Sequence, residues 1–512
     1  MAPVRPSPAR PEEASPVQSR PRLKFINRRQ QLLHPIDVEQ LVEDDHPVRA
    51  IWELVGRMNL DPYYQNIGAV EGVAGREAFD PQLLISLWVY AYSQKVSSAR
   101  EISRRCQYDP AYQWLTGLEG VNYHTLSDFR VEHQQGLERL FAEVLAVLSQ
   151  AGWIGLERVM QDGTKIKAHA SDQSFRRQAT LERHLQAARQ RVREMKEAGG
   201  EEVSERVARA RQRAWREKQQ RLELALEQLA RIQAAKSGSS EKAEARASLT
   251  DPEARVMLQS HSGFAPSYNV QISTDARAGL IVGVGVSQAA NDVAELEPAV
   301  ERIQGLWGKA PLQMVVDQGF VNQSNVIAMA DQQIDLIGPV PEHTAASQAE
   351  LKQRGVKAEF FPSAFVYDAA RDCYQCPAGQ PLPYKSRYPR GQTLRLRYRA
   401  RPADCQACAF KAQCCPHTAQ GRSIIRSQDA PQVAAFKAKM QTPEAQQIYK
   451  QRAGIAEFPN AWIKEKIGLR QFHLRGLIKV GIEALWACLT YNIQQWIRLV
   501  WRPHRLALAS LL

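Results

Sequence analysis

No run of the 512 residues reaches the ~18 uncharged apolar residues that a membrane-spanning helix needs. The strongest candidate, 474–500, is interrupted by Arg475, Lys479, Glu483 and Arg498. The N-terminus, MAPVRPSPARPEEASPVQSRPR, has no apolar core of the kind a secretory signal requires. No Walker A loop and no Gly-x-Ser-x-Gly elbow occurs, so ATP hydrolysis and acyl transfer lack their parts. These absences predict an intracellular, cytoplasmic chain with no membrane association. Cysteine is sparse, with eight residues, and in such a compartment clustered cysteines point to metal rather than to disulfides.

What is present is ordinary globular composition, 44% hydrophobic and 24% charged, in a length that suggests three to four structural units. Sixty-seven Lys and Arg against 54 Asp and Glu leave +13, which favours a polyanionic partner. Residues 1–22 read as a disordered basic tail. From 23 to 152 apolar residues recur at helical spacing, predicting an all-helical domain. Within it Ser98–Arg105 and Thr125–Glu132, flanking DPAYQWLTGLEGVNYH, are compatible with a helix-turn-helix DNA reader and equally with a plain bundle.

At 157–162 the sequence reads as a β-strand ending in an acid, and GTKIKAHA reads as a second strand reached past a Gly turn. Residues 175–249 are rich in Arg, Gln, Glu and Ala with apolar residues three, four and seven apart. Gly199 and Gly200 break this run, predicting an antiparallel helical hairpin in preference to an intermolecular coiled coil. SYNVQISTD (267–275) and LIVGVGVSQ (280–288) read as a β-hairpin. LQMVVDQGF (312–320) reads as a short buried strand with helices on either side, which makes an α/β domain.

Asp162 and Asp317 share a context, each closing an apolar strand and followed by Gly, in MQDGT and VVDQGF. Asp-Gly also makes simple turns. Acids at the rim of a sheet, however, can converge on hard divalent cations, and a third oxygen donor allows two ions to be held ~3.5–4 Å apart for phosphoryl transfer. Glu457 is the leading third acid, with Glu465 and Glu483 as competitors. Lys165 and Lys167 follow the first Asp along one face of an extended segment, where they would meet phosphates or simply solvent. Cys373-x2-Cys376 and Cys405-x2-Cys408, then Cys414 and Cys415, have the paired spacing of a tetrahedral thiolate zinc site. Cys106 and Cys488 sit on apolar helical faces and read as core.

Taken together, DGTKIKAHAS (162–171), DPEARVM (251–257), SYNVQ (267–271), the Asn-Asp pair at 291 and 292, and VVDQGF (315–320) resemble the DDE transposases of bacterial insertion sequences, of the IS4/IS5-like superfamily. INRRQQLL, DDHPVR, DPQLLISLWVYAYSQKVSSAREI and YHTLSDFR resemble the N-terminal domain of the same proteins. A Tyr, Arg, Glu, Lys signature of that group falls on Tyr449, Arg452, Glu457 and Lys464, with one residue more between Arg452 and Glu457 than the signature has.

The resemblance implies an α/β, RNase H-like catalytic domain made of 153–174, 250–363 and 424–502. The helical hairpin (175–249) and a zinc-ribbon-like unit (364–423) would be inserted in it. It implies that Asp162, Asp317 and Glu457 hold two magnesium or manganese ions, and that Tyr449, Arg452 and Lys464 grip DNA near its cleaved end. It selects Cys376, Cys405, Cys408 and Cys414 as ligands of a structural zinc, with Cys373 in place of Cys414 as the alternative. The implied partners are double-stranded DNA, both terminal inverted repeats and target, and further copies of the chain. Two rivals stand: a nuclease or inactive relic on the same fold, and a DNA-binding regulator that uses only the helical domain.

Overall fold

The computed structural model describes residues 29, 35–65, 67–69, 77–197, 205–259, 263–340, 345–390 and 393–509. The tail expected at 1–22 and most of INRRQQLL lie outside the described residues. The N-terminal part is helical: α1 (Pro47–Gly56), α2 (Pro81–Ser93), α3 (Ala99–Arg105), α4 (Pro110–Thr116), α5 (Tyr123–Glu132) and α6 (Gln134–Gln150). Local chemistry sets the starts. Asp80, Asp109 and Asn122 each accept a hydrogen bond from the backbone N–H two residues on, and Pro opens α1, α2 and α4. One expectation is corrected here. The segment read as the link of a helix-turn-helix folds as α4, capped by Asp109 and stopped by Gly117 at φ 59°, so three short helices follow one another.

Strand β1 (Arg158–Lys167) opens the α/β part. Helices α7 (Gln178–Glu197) and α8 (Glu205–Ala234) then pack together through Leu181, Leu185, Ala188, Leu222, Ala225 and Leu229. A short antiparallel bridge, Phe175 to Ser248, closes the base of this hairpin. Next come β2 (Arg255–Gln259), β3 (Gly263–Asp275), β4 (Leu280–Ser287), α9 (Leu296–Trp307), β5 (Gln313–Val315), α10 (Gln323–Asp331) and β6 (Asp335–Ile337). They form one six-stranded sheet in the order β2-β3-β1-β5-β6, with β4 also paired to β3. The pairs β1–β3, β2–β3 and β3–β4 are antiparallel, whereas β1–β5 and β5–β6 are parallel.

A second sheet is a meander of β7 (Val366–Asp368), β8 (Cys373–Gln375), β9 (Pro381–Arg390), β10 (Thr393–Arg399) and β11 (Ser423–Gln428). Its own core holds Val356, Phe360, Phe361, Phe365, Leu382, Tyr398 and Ile424. This unit therefore begins before 364 and ends at Gln428, past both expected boundaries. The chain closes through α11 (Pro443–Lys450), α12 (Arg452–Glu465) and α13 (Leu477–Trp496).

Fourteen of the twenty residues of α13 are buried, which marks a helix enclosed on nearly every side. It packs on α2 and α6 on one side and on β4 on the other. Asn492 exchanges two hydrogen bonds with the backbone of Ile281 in β4, at 3.0 and 2.8 Å. Trp486 donates to the carbonyl of Arg130 in α5 at 3.3 Å. The helical part and the six-stranded sheet thus share one hydrophobic core running from Val48 to Trp501. Among the described residues no helix is long and apolar enough to cross a membrane.

Candidate active site

The register of two parallel strands brings the aspartates together. Met160 of β1 lies opposite Val315, the last residue of β5. Asp162 and Asp317 each sit two residues further on, Asp162 within β1 and Asp317 just past the end of β5. Because β5 stops at Val315, the edge of β1 at Asp162 is left open on that side, while β3 covers the other through Ile272.

Helix α12 is laid against this opening. Arg452, Ala456 and Asn460 are spaced four apart and so share one face, and all three are buried. Arg452 Nη2 lies 2.8 Å from Asp162 Oδ1 and 3.9 Å from Asp317 Oδ2. Asn460 Nδ2 donates to Asp162 Oδ2 at 2.8 Å. Asp317 Oδ1 accepts the N–H of Gly319 at 2.8 Å, which fixes its turn. Burial pushes the Asp162 carboxyl up to about 6; the Arg452 guanidinium opposes that shift and the charge of Asp317 reinforces it. Burial holds Lys464 below the usual lysine range, against the pull of the nearby Asp162.

The remaining expected residues are placed as follows. Glu457 is exposed on α12, one position past the inward face. At 100° per residue, the extra residue after Arg452 turns it away from the direction of Ala456. Of its competitors, Glu465 pairs with Arg470. Glu483 is fully buried and accepts the N–H groups of His473 and Leu474 at 3.0 and 2.9 Å, a structural role. Tyr449 is half-buried at the end of α11 and packs on the main core. Lys165 and Lys167 are odd-numbered positions of an unbroken strand, so they project from the face of β1 opposite to Asp162. Cys106 and Cys488 are buried in the core.

Asp292, which follows β4, was given no role from sequence. Its Oδ1 accepts from Asn269 Nδ2 at 2.8 Å and from Gln271 Nε2 at 2.6 Å, both on β3. A Cβ at Gly163 would stand 2.2 Å from that same oxygen, so only glycine fits beside Asp162. A Cβ at Gly319 would lie 3.1 Å from Asp317 Oδ1 and 3.8 Å from Asp292 Oδ2, which puts the Asp292 carboxylate near Asp317, on the face of β1 opposite to the Asp162 side chain. A glycine inside a strand was the available signal, since it marks close approach by another group.

Cys376, Cys405, Cys408, Cys414 and Cys415 line one cavity of about 30 Å³ in the inserted unit, whereas Cys373 is held in β8 outside it. The N–H groups of Gln380 and Arg422 point at Cys376 Sγ and Cys405 Sγ, at 3.2 and 3.3 Å. Among the described residues no three His, Cys, Asp or Glu side chains stand close enough to form a closed metal site. The donor chemistry nevertheless fits the expected ions: adjoining carboxylates with a buried, unpartnered Asn460 Oδ1 for a hard cation, and sulfurs receiving N–H bonds for zinc.

Residues 375–497 match a family model described as transposase DDE domain, and residues 36–132 one described as transposase domain (DUF772). Both matches support a DDE transposase; the first includes Glu457 and neither includes Asp162 or Asp317. No curated protein matches. Among solved structures, a piggyBac transposase synaptic complex with hairpin DNA is similar at 9% identity over 90% of this chain and 73% of that chain. Its TM-score of 0.29 is too low to carry fold or function.

Proposed function

We propose that the chain is a DNA transposase of the DDE type, built on an RNase H-like core, that cleaves insertion-element ends and joins them to target DNA. One observation carries this reading: Asp162 and Asp317, 155 positions apart in sequence, meet beside one buried guanidinium.

Asp162 and Asp317, with Glu457 at the exposed edge of the α12 face as the proposed third ligand, would hold two magnesium or manganese ions, which when bound supply Lewis-acid stabilisation for in-line displacement at phosphorus. The chain's own groups have distinct tasks. Arg452 holds the two aspartates side by side and counters the effect of burial on Asp162, a positioning role. Asn460 fixes the second oxygen of Asp162. Lys464, whose charge feels Asp162, and Tyr449, at the end of α11, would grip the DNA strand near its cleaved end. Lys165 and Lys167, on the other face of β1, would attract backbone phosphates away from the scissile position. Cys376, Cys405, Cys408 and Cys414 would bind a structural zinc that braces the inserted unit. The helical N-terminal part would recognise the terminal inverted repeats. Pairing two ends calls for more than one copy of the chain, acting on DNA in a bacterial cytoplasm.

The test is to incubate purified protein with Mg²⁺ and labelled duplexes carrying the inverted repeats that flank its gene, beside Asp162→Ala and Asp317→Ala. Cleavage and joining by the unaltered chain, and DNA binding without cleavage by both variants, are expected. Cleavage with no joining would instead indicate a nuclease, and binding with no cleavage by any form a regulator.

A further inference from the structure

The inserted unit carries a disproportionate share of the charge. Between 364 and 423 there are ten Lys and Arg against three acids, Asp368, Asp372 and Asp404, so this stretch holds +7 of the chain's +13. Strand β10, TLRLRYR, sorts that charge by its alternation. Leu396 and Tyr398 turn toward the core of the unit, and Arg395, Arg397 and Arg399 toward the opposite face.

The neighbouring strands extend this face. Tyr388 of β9 lies opposite Arg395, while Ile425 and Ser423 of β11 lie opposite Arg397 and Arg399. The Arg397 guanidinium sits 5.1 Å from the Tyr388 ring centroid. Hydrogen bonding with Arg397, and to a lesser extent with Arg395, holds the Tyr388 hydroxyl below its ordinary range. At the β11 edge a cavity of about 400 Å³ is lined by Arg354, Arg395, Arg422, His417, Thr418 and Ser423, with no acid in its wall.

A solvated basic face would be relieved by local acids, and this one is not. Among the described residues none of Arg395, Arg397, Arg399 and Arg422 forms an ion pair with a carboxylate. Arg422 is tied to the unit by donating to the carbonyls of Cys414 and Phe360 at 3.3 and 2.9 Å, and Arg399 donates to Gln420 Oε1 at 2.8 Å, so the charge at these positions is held in place but not neutralised. Planar guanidinium groups suit phosphate oxygens, which they can meet with two parallel N–H bonds. Three arginines at alternate strand positions span about 13 Å, close to the axial rise of four nucleotides. Among the described residues this face offers Ile425 as its large exposed aliphatic side chain, too little to anchor a membrane.

We propose that this arginine face, from Tyr388 across Arg395, Arg397 and Arg399 to the cavity at Arg422, docks the phosphate backbone of duplex DNA. It rests on the reading of the chain as a DNA-acting protein and adds a second DNA contact, remote in sequence from both the helical part and the carboxylates. Binding here is independent of base sequence, since backbone contacts position DNA without reading it.

The experiment uses the full chain, a labelled duplex of arbitrary sequence and fluorescence anisotropy over a range of salt. The variant Arg395→Gln, Arg397→Gln, Arg399→Gln is expected to bind at least about tenfold more weakly at low salt, with the slope of log affinity against log salt reduced by about two to three. A second variant, Ser423→Glu with Ile425→Glu, adds repulsion without removing any arginine, and should weaken binding even if the first fails to fold. Unchanged affinity and slope in the folded variants would overturn the proposal. So would loss of binding to anionic vesicles or to a polyglutamate peptide with duplex binding retained. The assay needs no cleavage, so a catalytically inert chain would refute the transposase reading and leave this result readable.

Discussion

The two sheets of this molecule treat charge in opposite ways. In the six-stranded sheet, charged and polar groups are turned inward toward one another: one guanidinium serves two aspartates, and Gln161 donates to Gln271 at 2.7 Å and accepts from Ser273 at 2.6 Å. In the inserted sheet a row of arginines faces outward without acidic partners. The first arrangement fixes the geometry of a few atoms at some cost in desolvation. The second keeps its electrostatic attraction for something outside the molecule. Chemistry requires the former, whereas capture of a long polyanion requires the latter.

Substitutions can break this comparison at either sheet. The largest effect is expected at the aspartates, where Asp162→Ala or Asp317→Ala should lower cleavage by more than the 10–100-fold typical of outer-shell changes, read in a gel assay with DNA affinity kept. Arg452→Gln should cost about 10–100-fold in cleavage rate with little change in duplex affinity. If affinity fell instead while the rate held, Arg452 would belong with the DNA-gripping residues. Glu457→Gln and Glu483→Gln separate an exposed acid from a buried one. The first should impair cleavage and leave the melting temperature unchanged. The second should destabilise the fold by about 1–3 kcal/mol, seen in thermal or denaturant unfolding.

Asp162 also gives a pH signature. Its folded carboxyl titrates near 6, above the unfolded value, so the proton it takes up on folding stabilises the metal-free chain at low pH. That contribution is complete below the unfolded value and is lost as pH rises through about 6. Asp162→Asn should abolish the corresponding fall in melting temperature between pH 4 and 7. The smallest effect is expected at Lys165→Gln and Lys167→Gln, each reducing the salt slope of duplex binding by about one. For the inserted sheet, Cys405→Ser should lower the zinc content of purified protein and Cys373→Ser should not.

Much of the site was legible along the chain, and particular residues show where that ended. The apolar runs that lead into Asp162 and Asp317 announced the two strands, but the turn expected at Gly163 is absent: β1 runs unbroken from Arg158 to Lys167, because its pairing with β3 continues through Gly163. The place of Glu457 could not be read the same way, because one added residue in a helix rotates a side chain by 100°, and only the packed helix shows which side faces the carboxylates. Asp292 was missed because its role depends on Asn269, Gln271 and the bare backbone of Gly163, which are brought to it by strand pairing. Helix α4 was missed for a local reason: its Asp-Pro start and Gly stop bracket a segment short enough to resemble a loop.

The sequence by itself determined the periodicities, the caps, the basic balance and the clustered thiols, since each depends on neighbours within a few residues. Only the tertiary structure decided that β1 and β5 are adjacent and in equal register, that α12 presents Arg452 and Asn460 to Asp162, and that α13 joins the helical part to the sheet in one core. Those outcomes depend on which distant surfaces exclude water together, and burial of that kind is a property of the whole chain.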